Sequence, residues 1–372
     1  MPADSGTDHP GPGHSTPRVL LVAGARPNFM KIGPVQAELD RRGLTSVLVH
    51  TGQHYDPAMS DVFFDELAIR RPDHHLEVGS ASHAVQTARI MEAFEPVLVE
   101  ERPDWVVVPG DVNSTLACSL VAAKLGVRVA HLEAGLRSRD WQMPEEINRV
   151  VTDRISDLLL APSPDAVDNL HAEGVPDHRI ALVGNVMADA LLSNLDRARD
   201  RGTVERLGLV QGRYALLTLH RPSNVDDPDV LATRLATIGE VAATTPVIWP
   251  VHPRTRAVLE KVEVPAGVTT IDPVGYLDSI ALQAGSRMVL TDSGGMQEET
   301  TVLGVPCVTL RTTTERPITL TEGTNQLAGT SHDAILAAVE RILRGEVEPR
   351  RPDLWDGFAA RRTVDALLTA ER

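Results

Sequence analysis

The sequence predicts an α/β chain built as two doubly wound, Rossmann-like domains facing each other across a cleft. Three observations lead there. Short apolar runs alternate with helical patterns along most of the chain. The runs are nearly continuous Val, Leu and Ile, as strands of a parallel sheet covered by helices on both faces must be. A polar, charged span at 194–212 follows the first series, and a fresh series begins at Tyr214. With 372 residues, 42% of them apolar, the chain can bury two cores of this kind.

Taken in order, residues 1–16 are rich in Pro, Gly, His and Ser, lack an apolar core and read as a disordered tail. The first domain, 17–185, carries strands at 19–23, 46–51, 105–109, 127–132, 157–161 and 180–183. Helical patterns at 35–42, 83–101 and 114–125 lie between them. The series closes at Val183-Gly184-Asn185. The second domain, 186–353, carries strands at 214–219, 246–251, 268–271, 287–291 and 306–310, with a helix at 229–243.

Ligands of doubly wound sheets bind beyond the carboxyl ends of the strands, so polar residues just past a strand are the first candidates. The strand at 287–291 runs into Asp292-Ser293-Gly294-Gly295 and then directly into a helix. Glycines let the backbone approach a ligand, and the unpaired N–H groups of the helix start suit a phosphate. Glu299, about one turn further on, could accept bonds from a ribose. A second anion-binding candidate closes the first strand at Gly24, followed by Arg26 and Lys31. Two such loops in opposite halves suggest a nucleotide diphosphate held between the domains.

Asp111, Glu133, His220 and His252 also follow strands directly. Neighbouring buried carboxylates push their pKa values apart, and histidine titrates near neutrality, so such a group can supply acid and base. Bland readings stand beside these. Asp111-Val-Asn-Ser114 also reads as a helix cap, and Glu145 and Glu146 after Pro144 suit the positive end of a helix dipole.

A formal charge of -15 argues against a nucleic-acid partner. The cysteines, Cys118 and Cys307, lie in apolar surroundings and point to a reducing compartment. No signal peptide and no run long enough to span a membrane is visible, so a cytoplasmic enzyme is expected. The one Gly-x-Gly, Gly11-Pro-Gly13, lies in the tail, and no phosphate-binding Gly-Lys-Ser/Thr loop occurs. His131-Leu-Glu133 lacks the Cys-x-x-Cys of a zinc deaminase, and the histidines show no metal spacing. From the residues alone, the chain reads as an enzyme acting on a nucleotide-sugar-type ligand, its reaction unnamed.

An ordered set of segments goes further. It comprises Gly24-Ala-Arg-Pro27 with Lys31, Thr51-Gly-Gln-His54, Pro109-Gly-Asp111, His131-Leu-Glu-Ala-Gly-Leu-Arg137 and Pro144-Glu-Glu-Ile-Asn-Arg149. Leu219-His-Arg221, Pro250-Val-His-Pro253, Thr291-Asp-Ser-Gly-Gly-Met-Gln-Glu-Glu299 and Thr313-Thr-Glu-Arg-Pro317 follow in the second half. Together, from Arg18 to about Gly329, they resemble the non-hydrolysing UDP-N-acetylglucosamine 2-epimerases. The resemblance implies a GT-B-like fold whose C-terminal helix, about 354–372, crosses back to the first domain, and a homodimer. It implies interconversion of UDP-GlcNAc and UDP-ManNAc without a cofactor, through elimination of UDP to a bound glycal and re-addition. It casts Asp111, Glu133, Glu145 and His220 as catalytic. It assigns Arg26, Lys31, Arg316, Ser293, Gly294 and Gly295 to the diphosphate and Glu299 to the ribose. Val274, Tyr276 and Ser279 fall to the uracil, and Arg149 and His252 complete the substrate-binding set.

The chain also departs from the pattern. Its loop from Glu133 to Glu145 is two residues shorter than in many members, and Ser279 stands where relatives often carry an aromatic. Members activated by UDP-GlcNAc carry Gln-His-Arg and His-Arg-Arg-Glu; here Gln53-His54-Tyr55-Asp56 and His220-Arg221-Pro222-Ser223 speak against strong activation. Rival readings are a hydrolysing 2-epimerase, an epimerase for a modified UDP-amino sugar, a GT-B glycosyltransferase and an idle nucleotide-sugar binder.

Overall fold

The computed structural model describes residues 16–52 and 69–370, apart from the side chain of Arg26. All but the last residue of the expected tail, and Gln53-His54-Tyr55-Asp56, lie outside the described residues.

Two parallel sheets form. The first contains β1 (Val19–Ala23), β2 (Ser46–His50), β3 (His74–His75), β4 (Trp105–Pro109), β5 (Arg128–Leu132), β6 (Leu158–Ala161) and β7 (Ile180–Leu182). Their order is β3-β2-β1-β4-β5-β6-β7. The second contains β8 (Ala215–Thr218), β9 (Val247–Pro250), β10 (Val268–Ile271), β11 (Met288–Thr291), β12 (Cys307–Thr309) and β13 (Asn325–Leu327), in the order β10-β9-β8-β11-β12-β13.

Burial on both faces explains the continuous apolar strands. Val19, Leu21 and Ala23 pack with Phe29, Ile32, Val35 and Leu39 on one side of the first sheet. Leu20 and Val22 pack with Ile90, Phe94, Ala117 and Val121 on the other. Each fully buried aliphatic side chain contributes roughly 1.5–3 kcal/mol, so a polar residue on either face would be costly. The helix after β1 spans Arg26–Arg41, starting well before the expected 35–42. Pro27 sits in its first turn, where no N–H bond is required.

The helix Val186–Asp200 follows the first sheet and touches both halves: Ala188 and Leu191 pack with Tyr276, Leu277, Ile280 and Val302. The last helix, Ala359–Thr369, inserts Ala359, Ala360, Val364 and Leu367 into the core of the first sheet, as the resemblance implies. Asp189 caps it from outside, accepting from the N–H groups of Ala359 at 3.1 Å and Ala360 at 2.7 Å. The returning chain touches the outgoing one, since a Cβ added at Gly184 (φ +87°) would lie 2.1 Å from the Leu354 carbonyl oxygen. Arg362 ties the two passages by donating to the carbonyls of Val183 and Leu354 at 2.6 and 2.7 Å. Among the described residues, no helix is long and apolar enough to cross a membrane.

Candidate active site

Each sheet has a topological switch point where the chain reverses its direction of winding, between β1 and β4 in the first and between β8 and β11 in the second. Loops diverge there and leave a crevice at the carboxyl ends of the strands. The four switch loops carry Gly24, Asp111, His220 and Ser293-Gly294-Gly295.

In the first half, Lys31 points from the helix after β1 to Glu133, its Nζ 2.6 Å from Oε2. Glu133 follows β5 with a left-handed backbone (φ +71°), unusual for a residue bearing a Cβ. Its Oε1 is buried with no hydrogen-bond partner among the described residues. Asp111 pairs with Arg149. Burial pushes the Asp111 carboxyl up, but Arg149, Lys31 and Arg316 outweigh it and hold the group below the usual carboxylate range.

Arg149 lies on the helix Pro144–Ile155, whose first turn bears Glu145 and Glu146. The two acids part company. Glu146 is buried and accepts from Ser138, the Arg139 N–H and Arg149. Glu145 is half-buried and makes no hydrogen bond or ion pair among the described residues, which leaves it available. The side chain of Arg26 lies outside the described residues.

In the second half, the helix Gly294–Leu303 opens directly after β11. A Cβ built on Gly294 or Gly295 meets nothing within 4 Å, so open space adjoins the first-turn N–H groups. His220 Nδ1 lies 3.0 Å from Asp292 Oδ1. Asp292 also accepts from the N–H groups of His220 and Arg221 and from Asn224. Beside this pair, an apolar cavity of about 180 Å³ is lined by His220, His252, Val274, Ser279 and Met296, among others. Tyr276 does not line it; its ring packs against the helix Val186–Asp200 instead. Glu299 is buried and accepts from Gln283 at 2.6 Å. Burial, opposed by the Gln283 bond and helped by Glu298, pushes its carboxyl up to about 7.

The two halves meet at Arg316, in the segment after β12. Its Nε donates to Glu298 at 2.7 Å, and its Nη2 lies 3.9 Å from Glu133 of the first half. Asn185 reaches the same Glu298 oxygen at 3.1 Å. Lys31, Asp111, Glu133, Arg149 and Arg316 thus form one charged cluster. Sequence reasoning missed Asp292, Glu298 and Gln283 as partners of His220, Arg316 and Glu299. The first two lie inside the quoted segment Thr291–Glu299; only the fold shows which way each points.

Fold and site together define a GT-B-like α/β protein with an open helix start after β11 and a charged cluster of carboxylates and cations at one cleft. The family model for UDP-N-acetylglucosamine 2-epimerase matches residues 37–368. The UDP-N-acetylglucosamine 2-epimerase of Methanococcus maripaludis is 42% identical over 94% of this chain and 98% of its own. The UDP-2,3-diacetamido-2,3-dideoxy-D-glucuronate 2-epimerase of Pseudomonas aeruginosa is 41% identical over 94% and 99%. The crystal structure of the Methanocaldococcus jannaschii UDP-GlcNAc 2-epimerase, in complex with UDP-GlcNAc and UDP, superposes with a TM-score of 0.85 at 40% identity, covering 94% of this chain and 99% of that one. The chain belongs to the UDP-N-acetylglucosamine 2-epimerase family and is an enzyme of the UDP-sugar 2-epimerase class.

Proposed function

We propose that this enzyme interconverts UDP-GlcNAc and UDP-ManNAc by eliminating UDP across C1 and C2 to a bound glycal, then returning UDP to C1 while a proton is delivered to the opposite face of C2. One observation carries the reading: the open helix start at Gly294–Gly295 and the carboxylates of the first half belong to one cleft, joined through Arg316 and Glu133. The C2 proton of the sugar is not acidic, so departure of the diphosphate must lead and leave positive charge at C1. Lys31, Arg316, Arg26 and the first-turn N–H groups would stabilise the leaving diphosphate, a preorganised electrostatic role. The apolar cavity at Val274 and Ser279 would take the uracil, and Glu299 the ribose.

Inversion needs a proton removed on one face of C2 and delivered on the other, hence more than one acid or base. Asp111, Glu133 and Glu145 surround the place where the hexose would lie, with His220 on the opposite wall. Glu133 offers an unengaged oxygen and Glu145 an unengaged carboxylate. The same reading divides the chain at 185/186, with 354–372 returning to the first unit, and expects a homodimer. A modified UDP-amino sugar is the second substrate reading, favoured by the 41% identity to the diacetamido-glucuronate enzyme.

Incubation with UDP-GlcNAc in heavy water, followed by NMR, tests both. UDP-ManNAc carrying deuterium at C2 supports the first reading. Free ManNAc would indicate hydrolysis. An inert UDP-GlcNAc alongside turnover of UDP-2,3-diacetamido-glucuronate would establish the second.

A further inference from the structure

Behind the carboxylates lies a buried pair with no place in the chemistry above. His131, on β5, is fully enclosed, and both its ring nitrogens have close partners: Nδ1 lies 2.6 Å from Asp153 Oδ1 and Nε2 2.7 Å from the carbonyl oxygen of Gly110. A carbonyl only accepts. Asp153 accepts too, because His131 and Arg137 overcome the upward push of burial and hold its carboxyl below the usual range. The second oxygen of Asp153 takes the Gly135 N–H at 3.0 Å and Arg137 at 2.7 Å.

The bonded backbone groups flank the candidate acids. Gly110 immediately precedes Asp111, and Gly135 lies two residues after Glu133. Asp153 also shares a helix with Glu145 and Arg149 at intervals of four residues, so the three occupy one face. That face carries Glu145 in its first turn, pairs a guanidinium with Asp111 and joins a carboxylate to His131. Glu133 holds a left-handed conformation that persists only where its surroundings enforce it.

We propose that His131 and Asp153 are positioning residues: a buried clamp that fixes the separation and aim of Asp111, Glu133 and Glu145 by gripping the backbone beside the first two and the helix that bears the third. Among the described residues, the side-chain hydrogen bonds and ion pairs of His131 and Asp153, beyond their own, run only to Gly110, Gly135 and Arg137 of the first half, whereas the uracil, the ribose and part of the diphosphate would be held by the second. Loss of the pair should therefore lower turnover and leave UDP affinity alone. This inference rests on the proposed roles of those three carboxylates.

The test compares wild type with His131→Asn and His131→Gln. Asn keeps a donor where Nδ1 faces Asp153 and loses the arm to Gly110; Gln keeps a donor toward Gly110. The measurements are kcat and KM on whichever UDP-amino sugar the wild type epimerises, UDP affinity by calorimetry, and thermal stability. A misplacement of about an ångström costs roughly a hundredfold in rate. His131→Asn should therefore lose about ten- to a hundredfold in kcat, and His131→Gln about three- to tenfold, with UDP affinity within about twofold of wild type.

Folded variants with a lower melting temperature and unchanged kcat would overturn the clamp, as would kcat and UDP affinity falling together. Should His131→Asn not fold, His131→Gln decides by the same criterion. A wild type inert on UDP-GlcNAc counts against the substrate assignment; an active wild type with unimpaired variants counts against the clamp alone.

Discussion

Arg149→Met isolates the charge balance at Asp111. Arg149 is buried and donates to both Asp111 and Glu146. Glu146 keeps its bonds from Ser138 and the Arg139 N–H, so most of the perturbation falls on Asp111. In wild type, burial raises the Asp111 carboxyl, and Arg149 is the first of the cations that outweigh it. A depressed carboxyl contributes stability that is present above its unfolded value and lost as pH falls through the folded one. Without Arg149, burial is opposed only by Lys31 and Arg316, and the carboxyl moves up.

At worst the variant takes up a proton. At pH 7, against a reference carboxyl near 3.9, that costs about 4 kcal/mol; at pH 5.5 it costs about 2 kcal/mol. Since Lys31 and Arg316 remain, the expected loss is about 2–4 kcal/mol at pH 7, shrinking by about half at pH 5.5. Urea unfolding at the two pH values reads the difference, and the kcat/KM profile should show the limb belonging to Asp111 moving to higher pH. A stability deficit that does not change with pH, together with an unmoved limb, would refute the reasoning.

Three further perturbations have expected outcomes. Glu299→Gln should gain stability over wild type as pH rises, because a carboxyl pushed up to about 7 contributes stability that is full below about 4.5 and lost through 7. The gain approaches about 3 kcal/mol at pH 8.5 by urea unfolding, and UDP affinity should fall about tenfold by calorimetry through loss of a charge-assisted bond. Asp292→Asn removes the carboxylate that holds His220 and should lower kcat about a hundredfold in single-turnover assays. Gly110→Ala puts a Cβ 2.9 Å from Lys31 Nζ at φ +66°, so the Lys31 ammonium must shift from its place against Glu133. Melting should report a loss of about 1–2 kcal/mol, with kcat falling further than that loss implies.

The strands that bury both faces were legible because they must be apolar at every position. Each of those expected from the sequence is present to within one residue at either end. β3 and β13 were not read. Each sits at a sheet edge and pairs on one side only, so His74-His75 and Asn325-Gln326-Leu327 carry no apolar pattern. The start of the helix Arg26–Arg41 was hidden by Gly33 and Pro34, which interrupt its period; Phe29, Ile32, Val35 and Leu39 pay for the interruption by packing on β1.

At the site, residues past strand ends were recognisable because topology alone places them in the crevice. Their partners were not. Whether Asp292 turns toward His220 or toward solvent depends on the loop after β8, far away in sequence. The same limit separated Glu145 from Glu146 only by context, until the bonds of Glu146 to Ser138 and Arg149 showed which acid is already engaged.

The contact of Gly184 with Leu354 has a mechanical meaning. A chain that passes between its two sheets once can let them swing apart in many directions, whereas two strands of backbone laced side by side act as a pin. Any turning of one sheet against the other would pivot at that pin, near Arg362 and the carbonyls it holds. Trimming the final helix would remove more than a terminus: it would strip apolar cover from the opposite end of the polypeptide and undo the lacing at Arg362.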